Sequence, residues 1–357
     1  MNMPLVSAPL GLRAVDLRDA AERARLDAFV RAHPEGTPFH LSAWSIAVAE
    51  ACGQRSHTLV AERADGSLVA MLPLTEVRSP LFGKALVSNG FAVDGGILAE
   101  SDAAVRPLGE AAWALAEKLG CPTLEIRGGS VEGPEWIRDD HSYLGFVRPL
   151  AASDEAELTA IPRKQRAEVR KSLDGDLDVA TGRHDADARE HYAVYAESVR
   201  NLGTPVFPSS LFRAVLREFG DAADILTVRS KGRAVASVLS LYMNGTVYPY
   251  WGGGTHAARS LRANDRMYFE LMAHARKKGC TRFDFGRSKA GTGPAAFKKN
   301  WGFQGIPLMY AKRAAIGGAP REINPLNPRY RLQIEAWKRL PLWVANQIGP
   351  HISKGLG

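Results

Sequence analysis

The same order of secondary-structure signals occurs twice in this chain, and the duplication limits the possible folds more than any other feature. In each half a helix pattern ends at a Gly-Cys pair, Gly120-Cys121 and then Gly279-Cys280, and a short strand pattern follows. The strand patterns end at Arg127-Gly128-Gly129 and at Gly286-Arg287-Ser288. A fixed order of elements that recurs is the signature of a repeated unit. We interpret each copy as β-α-α-β-β-β-α-β; chance similarity between two mixed α/β halves is the alternative.

Chain length and turn signals predict where the copies meet. A chain of 357 residues is too long for one ordinary core, which favours two domains. We place them at residues 1–150 and 151–314, followed by a linker and an amphipathic helical tail at 315–357. Hairpin turns such as Asn244-Gly245 join neighbouring strands within a copy. The predicted class is α/β of the α+β kind, with mixed, mostly antiparallel sheets.

Composition predicts a folded protein of the cytoplasm. The apolar fraction of 45% and the charged fraction of 24% are ordinary for globular chains. The apolar runs are far shorter than the roughly 20 residues that a membrane span needs, and the first thirty residues lack a signal-peptide pattern. The three cysteines are scattered and odd in number, which argues against a disulfide framework or a metal site.

Positive charge is concentrated in two segments. The net charge is +8, and the excess comes from residues 161–172 and 321–357, which carry +4 each. Both segments are therefore candidate contacts for an anionic partner. The alternative for each segment is that its basic residues lie on the solvent-exposed face of an ordinary helix and bind no partner.

The second copy ends in the stretch that we expect to carry the chemistry. A strand pattern over Arg282 to Phe285 stops at Gly286, a glycine-rich loop follows, and Phe297 to Trp301 has the pattern of one short helical turn. Lys298 then lies just beyond the carboxyl end of a strand, where open α/β sheets usually hold ligands. An exposed surface lysine is the alternative interpretation.

This pattern resembles the FemAB-like (FemABX) family of peptidyl and aminoacyltransferases, which have two GNAT-type acyltransferase folds in tandem. The resemblance covers Leu12 to Arg313, and its most specific parts are Phe283-Asp284-Phe285-Gly286 and residues 297–303. The tail, with Asn327-Pro328-Arg329-Tyr330-Arg331, is similar to the subgroup associated with exosortase (PEP-CTERM) and exopolysaccharide systems. Known members of the family move an aminoacyl group from a charged tRNA to an amine on a cell-wall precursor.

The resemblance implies roles for particular residues. Lys298, beside Phe297, matches the family lysine that stabilises the oxyanion of the tetrahedral intermediate. A fixed ammonium at that oxygen can lower the barrier by several kcal/mol. The basic helix that opens the second copy would present one face to phosphate groups, through Arg163, Arg166 and Arg170.

Further substrate contacts are predicted around the last strands of the second copy. Tyr250, Trp251 and Gly253 end its third strand, where a GNAT-type fold opens a gap for the donor acyl group; a β-bulge with core aromatics is the alternative. The remaining predicted substrate-binding residues are Asp284, Arg287 and Trp301. The loop before the following helix, residues 259–265, lacks the glycines with which CoA-dependent GNAT enzymes hold pyrophosphate, which weakens the case for CoA, although Arg259 and Arg262 could still contact phosphates.

The leading hypothesis is therefore an N-acyltransferase that acts on an amine of a cell-envelope or exopolysaccharide precursor. The expected donor is aminoacyl-tRNA, with acyl-CoA as the alternative, and no bound cofactor or metal is expected. The rival hypothesis is a non-catalytic GNAT-fold binding module at the membrane surface, which the basic, tryptophan-containing tail would contact. A tail that packs across the two domains is the simpler explanation of the same residues.

Overall fold

The computed structural model describes residues 10–129, 131–321 and 331–357. The strands are β1 (Gly11–Val15), β2 (Arg55–Glu62), β3 (Leu68–Ser79), β4 (Gly83–Ser88), β5 (Leu98–Ala99), β6 (Thr123–Arg127), β7 (Ile137–Asp139), β8 (Tyr143–Pro149), β9 (Asp178–Gly182), β10 (Ala223–Ser230), β11 (Arg233–Met243), β12 (Thr246–Gly254), β13 (Arg282–Lys289), β14 (Gly305–Pro307) and β15 (Tyr310–Ala314). The helices are α1 (Ala20–Ala32), α2 (Ser42–Cys52), α3 (Val105–Lys118), α4 (Asp154–Ala160), α5 (Arg163–Leu173), α6 (Asp185–Leu202), α7 (Ser209–Phe219), α8 (Ala258–Leu261), α9 (Ala263–Lys277), α10 (Gly293–Asn300), α11 (Arg331–Arg339) and α12 (Leu342–Ser353).

Two mixed sheets repeat one topology, which confirms the predicted duplication. The first sheet has the order β1-β2-β3-β4-β6-β15-β7, with β5 beside β3, and the second has the order β14-β8-β13-β12-β11-β10-β9. Neighbouring strands are antiparallel except for one pair in each sheet, β4 with β6 and β12 with β13. The run from β1 to β6 in the first sheet thus corresponds to the run from β9 to β13 in the second. The predicted fold class is confirmed.

The two halves exchange a strand. β8 precedes the expected join near residue 150 yet pairs with β13 in the second sheet, from Pro149 opposite Arg282 to Tyr143 opposite Lys289. Conversely, β15 lies at the end of the second copy and pairs with β6 in the first sheet. Each sheet is therefore completed by the other half of the chain. We predicted no strand over residues 143–149, and the domain boundaries remain a prediction.

One hydrophobic core joins the two halves. It combines buried residues of α1 and α2 with buried residues of α7, β11 and β12. At its centre the indole rings of Trp44 and Trp251 stack with centroids 5.6 Å apart and an interplanar angle of 18°. Both tryptophans are almost fully buried, so separating the halves would expose large aromatic surfaces to water.

Helix boundaries follow local signals closely. α7 spans the predicted residues, and Gly53 ends α2 in the left-handed conformation with φ 64°. The basic helical segment from Asp154 to Leu173 is interrupted at Pro162, as predicted, and forms two helices, α4 and α5.

The tail packs across both halves, as the simpler interpretation predicted. Gln54 of the first half donates a hydrogen bond to the Lys354 carbonyl (2.7 Å), and Arg200 of α6 donates one to the Lys338 carbonyl (3.1 Å). The predicted start of the tail helix, Arg329 and Tyr330, lies outside the described residues. Within the described ranges, none of the helices has the length and apolar character needed to cross a membrane.

Candidate active site

The site forms where the parallel strands of the second sheet separate. β12 and β13 pair only at Thr246 with Arg282 and at Val247 with Phe283. Beyond that point β13 bulges between Asp284 and Arg287 in its pairing with β8. Gly286 takes φ 67°, a conformation that glycine adopts without strain. The Asp284 carboxylate fixes the bulge by accepting the Gly286 N–H at 2.8 Å.

Lys298 reaches this bulge from α10. Its side chain is only 8% exposed, and its Nζ donates to the carbonyl oxygens of Gly286 (3.1 Å) and Arg287 (2.9 Å). The ammonium also lies 5.3 Å and 5.5 Å from the ring centroids of Phe146 and Phe285. Because burial disfavours its charged form, the pKa of Lys298 falls to about 7. An ammonium has three N–H donors, so one remains after the two carbonyls.

Two carboxyl groups with raised pKa values lie in the same region. Burial raises the pKa of Asp284 to about 6, and the charge of Asp94 adds to the effect. Asp94 follows β4 in the first half, and burial raises its pKa to about 6 as well. Asp284 in turn opposes the lowering of the Lys298 pKa. Shifted carboxyl and amine groups that influence one another are typical of functional sites.

The aromatic residues predicted to contact substrate are packed against protein. Trp251 is 4% exposed within the shared core, and Trp301 is fully buried. The Tyr250 hydroxyl donates to the Phe91 carbonyl at 2.6 Å. Phe297 packs on Tyr268, with ring centroids 5.8 Å apart. Trp251 belongs to the core shared by the halves, whereas Trp301 and Phe297 pack in the second core with Phe285 of β13. The contacts of the other aromatic residues with substrate, and the catalytic role of Phe297, stay predictions.

Gly253 has a packing reason of its own. A Cβ built at this position would lie 2.4 Å from Oγ and 2.6 Å from Cβ of Ser198 on α6. The glycine therefore lets α6 lie directly on β12, and close approach of a ligand is not needed to explain it.

The three arginines of α5 do not share one role. Arg163 and Arg170 are exposed. Arg166 instead turns back to the end of α4, where its Nε donates to the Ile161 carbonyl (3.1 Å) and its Nη2 to the Thr159 carbonyl (2.8 Å). It thereby caps carbonyls that α4 leaves unpaired. The exposed cations of α5 are Arg163, Lys164, Arg170 and Lys171, of which Lys171 is paired with Glu168.

A cavity of about 760 Å³ lies between the halves, next to the bulge. Arg127 at the end of β6 and Arg287 at the same place in β13 both line it, with Tyr143 and Tyr310. Lys298 is not among its lining residues, although its amine binds the carbonyl of Arg287. We predicted Arg287 but not the other three residues. The matching positions of Arg127 and Arg287 in the two copies were the available signal for Arg127; the tyrosines come from the exchanged strands.

The position at which a GNAT fold would hold pyrophosphate is acidic here. Asp265 lies in the first turn of α9 and accepts a hydrogen bond from Gln165 of α5 at 2.6 Å. Arg262, just before the helix, is paired with Glu168 at 2.5 Å. A carboxylate at a helix N-terminus competes with an anionic ligand for the same N–H groups. Arg262 is thereby neutralised, whereas Arg259 on α8 is exposed.

Two similar sheets, each with one parallel pair that separates at its end, define a tandem GNAT-type fold. Residues 162–299 match the family model of the acetyltransferase (GNAT) domain. A comparison with curated protein sequences gives no significant match.

Three solved structures share this fold over most of their length. FemX has a TM-score of 0.64 at 14% identity, covering 90% of this chain and 99% of its own. The C-terminal domain of a protein described as a lysylphosphatidylglycerol synthetase, from Agrobacterium fabrum, has a TM-score of 0.55 at 12% identity, covering 83% and 93%. A tandem GNAT protein from the clavulanic acid biosynthesis pathway has a TM-score of 0.55 at 13% identity, covering 87% and 100%. At such identities the likeness concerns the fold.

Proposed function

We propose that this protein is an N-acyltransferase that transfers an aminoacyl or acyl group to an amine, with Lys298 as the donor to the oxyanion. The observation that carries the proposal is the buried Lys298 amine, which two main-chain carbonyls hold in place while one N–H remains. A preorganised donor in a poorly hydrated place is what acyl transfer requires, because negative charge develops on the former carbonyl oxygen.

The reaction follows the ordinary course of acyl transfer. The acceptor amine attacks the donor carbonyl carbon, and the carbonyl electron pair moves to the oxygen that Lys298 stabilises. The intermediate then collapses and expels the donor's ribose oxygen, which takes up a proton and leaves as a hydroxyl, or the sulfur of a thioester, which leaves as a thiolate. The amine must lose a proton, and Asp284 is the candidate acceptor because its pKa of about 6 lies near neutral pH. No covalent enzyme intermediate is needed.

We propose aminoacyl-tRNA as the donor rather than acyl-CoA. The acidic N-terminus of α9, with Asp265, and the Arg262–Glu168 pair both oppose binding of a pyrophosphate there. The exposed cations of α5 suit a nucleic-acid backbone, since phosphate contacts supply most of the affinity in such complexes. The acceptor amine on an envelope or exopolysaccharide precursor, and the link to exosortase systems, rest on the sequence resemblance.

A transfer assay with a matched lysine control tests the mechanism. Labelled amino acid is supplied on charged tRNA, or a labelled acyl group on CoA, and transfer to candidate amine precursors is measured. Lys298→Ala should lower the turnover about 100-fold or more. Lys299→Ala should leave it near the wild-type rate, because Lys299 is exposed beside it on α10. Equal rates for wild type and Lys298→Ala would remove Lys298 from the mechanism.

The same assay addresses the non-catalytic alternative. Absence of transfer by the wild-type protein from both donors, with binding of the precursor retained, would favour a binding module.

Contact of the tail with a membrane surface is also a proposal. Exposed Leu332 and Trp343 support it, and flotation with anionic liposomes tests it: recovery at the bottom of the gradient would end the idea.

A further inference from the structure

The cavity between the halves has a roof made by the tail. Its floor is formed by the ends of β6 and β13 with Tyr143 and Tyr310, and Ile334 and Trp337 of α11 cover it. A volume of about 760 Å³ is in the range of small-molecule binding sites. None of the residues of α11 is fully buried, so the helix covers the cavity without forming part of the core.

The polar lining is predominantly cationic. Among the residues that the structure describes, five basic and two acidic side chains line the cavity: Arg127, Arg287, Lys289, Lys312, Arg321, Glu125 and Asp139. Glu125 is paired with Arg127 at 2.7 Å and lies 3.8 Å from Lys312. Arg321 donates to the carbonyls of Phe82 and Gly355. Arg127, Lys312 and Arg321 thus have partners within the protein, which leaves the partners of Arg287 to be considered.

Arg287 has side-chain N–H donors that its partners within the described part of the chain do not use. Its guanidinium donates to the Tyr310 hydroxyl at 2.8 Å and lies 4.7 Å from the centroid of the Tyr143 ring. Over the described ranges no carboxylate forms an ion pair with it: the charge of Arg287 influences Glu125, but Glu125 is paired with Arg127. A guanidinium has five N–H donors, and an unpaired charge in a poorly hydrated place is unfavourable. An anionic ligand would supply the missing partner.

The roof of the cavity is apolar and carries one unsatisfied donor. Ile334, Trp337, Ile352 and Leu356 face the cavity. The indole Nε1 of Trp337 is buried and has no hydrogen-bond partner within the described part of the chain. A charged floor under an apolar roof suits a ligand with one acidic end and one apolar part.

We infer that this cavity binds an anionic amphiphile, a molecule with one carboxylate or phosphate group on an apolar chain. The acid group pairs with Arg287 through two parallel hydrogen bonds, and the chain lies against Ile334 and Trp337. The side chain that would hold the acid group thus belongs to a residue whose main-chain carbonyl accepts a hydrogen bond from Lys298. Binding is measured without any transfer reaction, so the result is independent of the proposed role of Lys298.

Titration calorimetry with a set of twelve-carbon probes tests the inference. Dodecyl phosphate and dodecanoate, kept below their micelle concentrations, should both bind to the wild-type protein, and their relative affinities show whether phosphate or carboxylate is preferred. Dodecyltrimethylammonium and inorganic phosphate should give no detectable binding at the same concentrations. Arg287→Gln should weaken binding of the acids roughly tenfold or more, whereas Arg106→Gln, a control at an exposed arginine that does not line the cavity, should not.

A second pair of variants tests the roof. Trp337→Ala should weaken the binding of dodecyl phosphate roughly tenfold, because the apolar chain loses its contact with the indole ring. The unfolding midpoint should change little, because none of the residues of α11 is fully buried. Trp343→Ala is the matched control, since Trp343 is 70% exposed on the next helix and does not line the cavity. Equal binding of the cationic probe, equal binding of inorganic phosphate, or unchanged affinity in Trp337→Ala would each overturn the inference.

Discussion

Replacement of Asp284 by asparagine should stabilise the protein at alkaline pH. The pKa of Asp284 is about 6 in the fold against 3.8 for the ordinary side chain, mainly because the carboxyl group is buried. A difference of two pKa units corresponds to about 3 kcal/mol between the two protonation states. Ionised Asp284 therefore lowers the free energy of unfolding by about that amount.

The sign of the pH dependence follows from proton binding. Between pH 3.8 and about 6 the folded chain holds a proton at Asp284 that the unfolded chain has released. The contribution of Asp284 to the free energy of unfolding consequently falls as the pH rises through this window, and the loss is complete above it. Asparagine cannot ionise, and its Oδ1 can still accept the Gly286 N–H. We expect a gain of about 1–3 kcal/mol at pH 8 that vanishes near pH 3.5.

Urea unfolding at several pH values measures this gain. The midpoint for Asp284→Asn should be higher than that of the wild type at pH 8, with the same dependence on urea. Asp176→Asn, a change at an exposed aspartate, is the matched control and should leave the midpoint unchanged. A variant that is less stable than wild type at pH 8, or a gain that is equal at pH 8 and pH 4, would refute the reasoning. A simultaneous loss of transfer would be expected if Asp284 accepts the proton.

Three further predictions concern the same region. Turnover should fall as the pH rises above about 7, where Lys298 loses its charge, and Lys298→Arg should retain its residual activity to higher pH because arginine stays charged; a wild-type rate that is constant from pH 6 to 9 would contradict this. Gly253→Ala should destabilise the fold by about 1–3 kcal/mol, because its Cβ would overlap Ser198; Gly293→Ala, which has open space around it, should be nearly neutral in the same urea assay. The contribution of His191 to stability should also fall as the pH drops below 6.5, because burial lowers the pKa of His191 to about 3 and the folded protein resists its protonation. If His191→Asn loses as much stability between pH 6.5 and pH 4 as the wild type does, His191 is not the cause of that loss.

Because of the strand exchange, residues from both halves of the chain form the candidate active site. β13 lies between β12 of its own half and β8 from the first half. The bulge that Asp284 and Lys298 hold is a departure from the β8 register. Tyr310, which accepts the Arg287 hydrogen bond, opens β15 in the other sheet. The bulge and the cavity thus depend on contacts that neither copy makes alone.

Local signals in the sequence determined the elements and their duplication. α7 and β6 have the predicted bounds, because caps, glycine stops and hydrophobic periodicity act within a few residues. The same signals predicted the order of strands and helices in both copies and put Lys298 just beyond β13. They did not predict β8, whose pairing with β13 is a long-range property.

Only the tertiary structure decided the surroundings of the functional groups. Burial of Lys298 lowers its pKa, and burial of Asp284 raises its pKa; neither follows from neighbouring residues in the chain. The cavity joins residues from positions 81 to 357. The solvation and the charge partners of a side chain depend on which distant segments pack around it. The exchange of β8 and β15 between the halves determines that packing. The sequence alone therefore determined which groups are present, while packing between the halves decided what those groups can do.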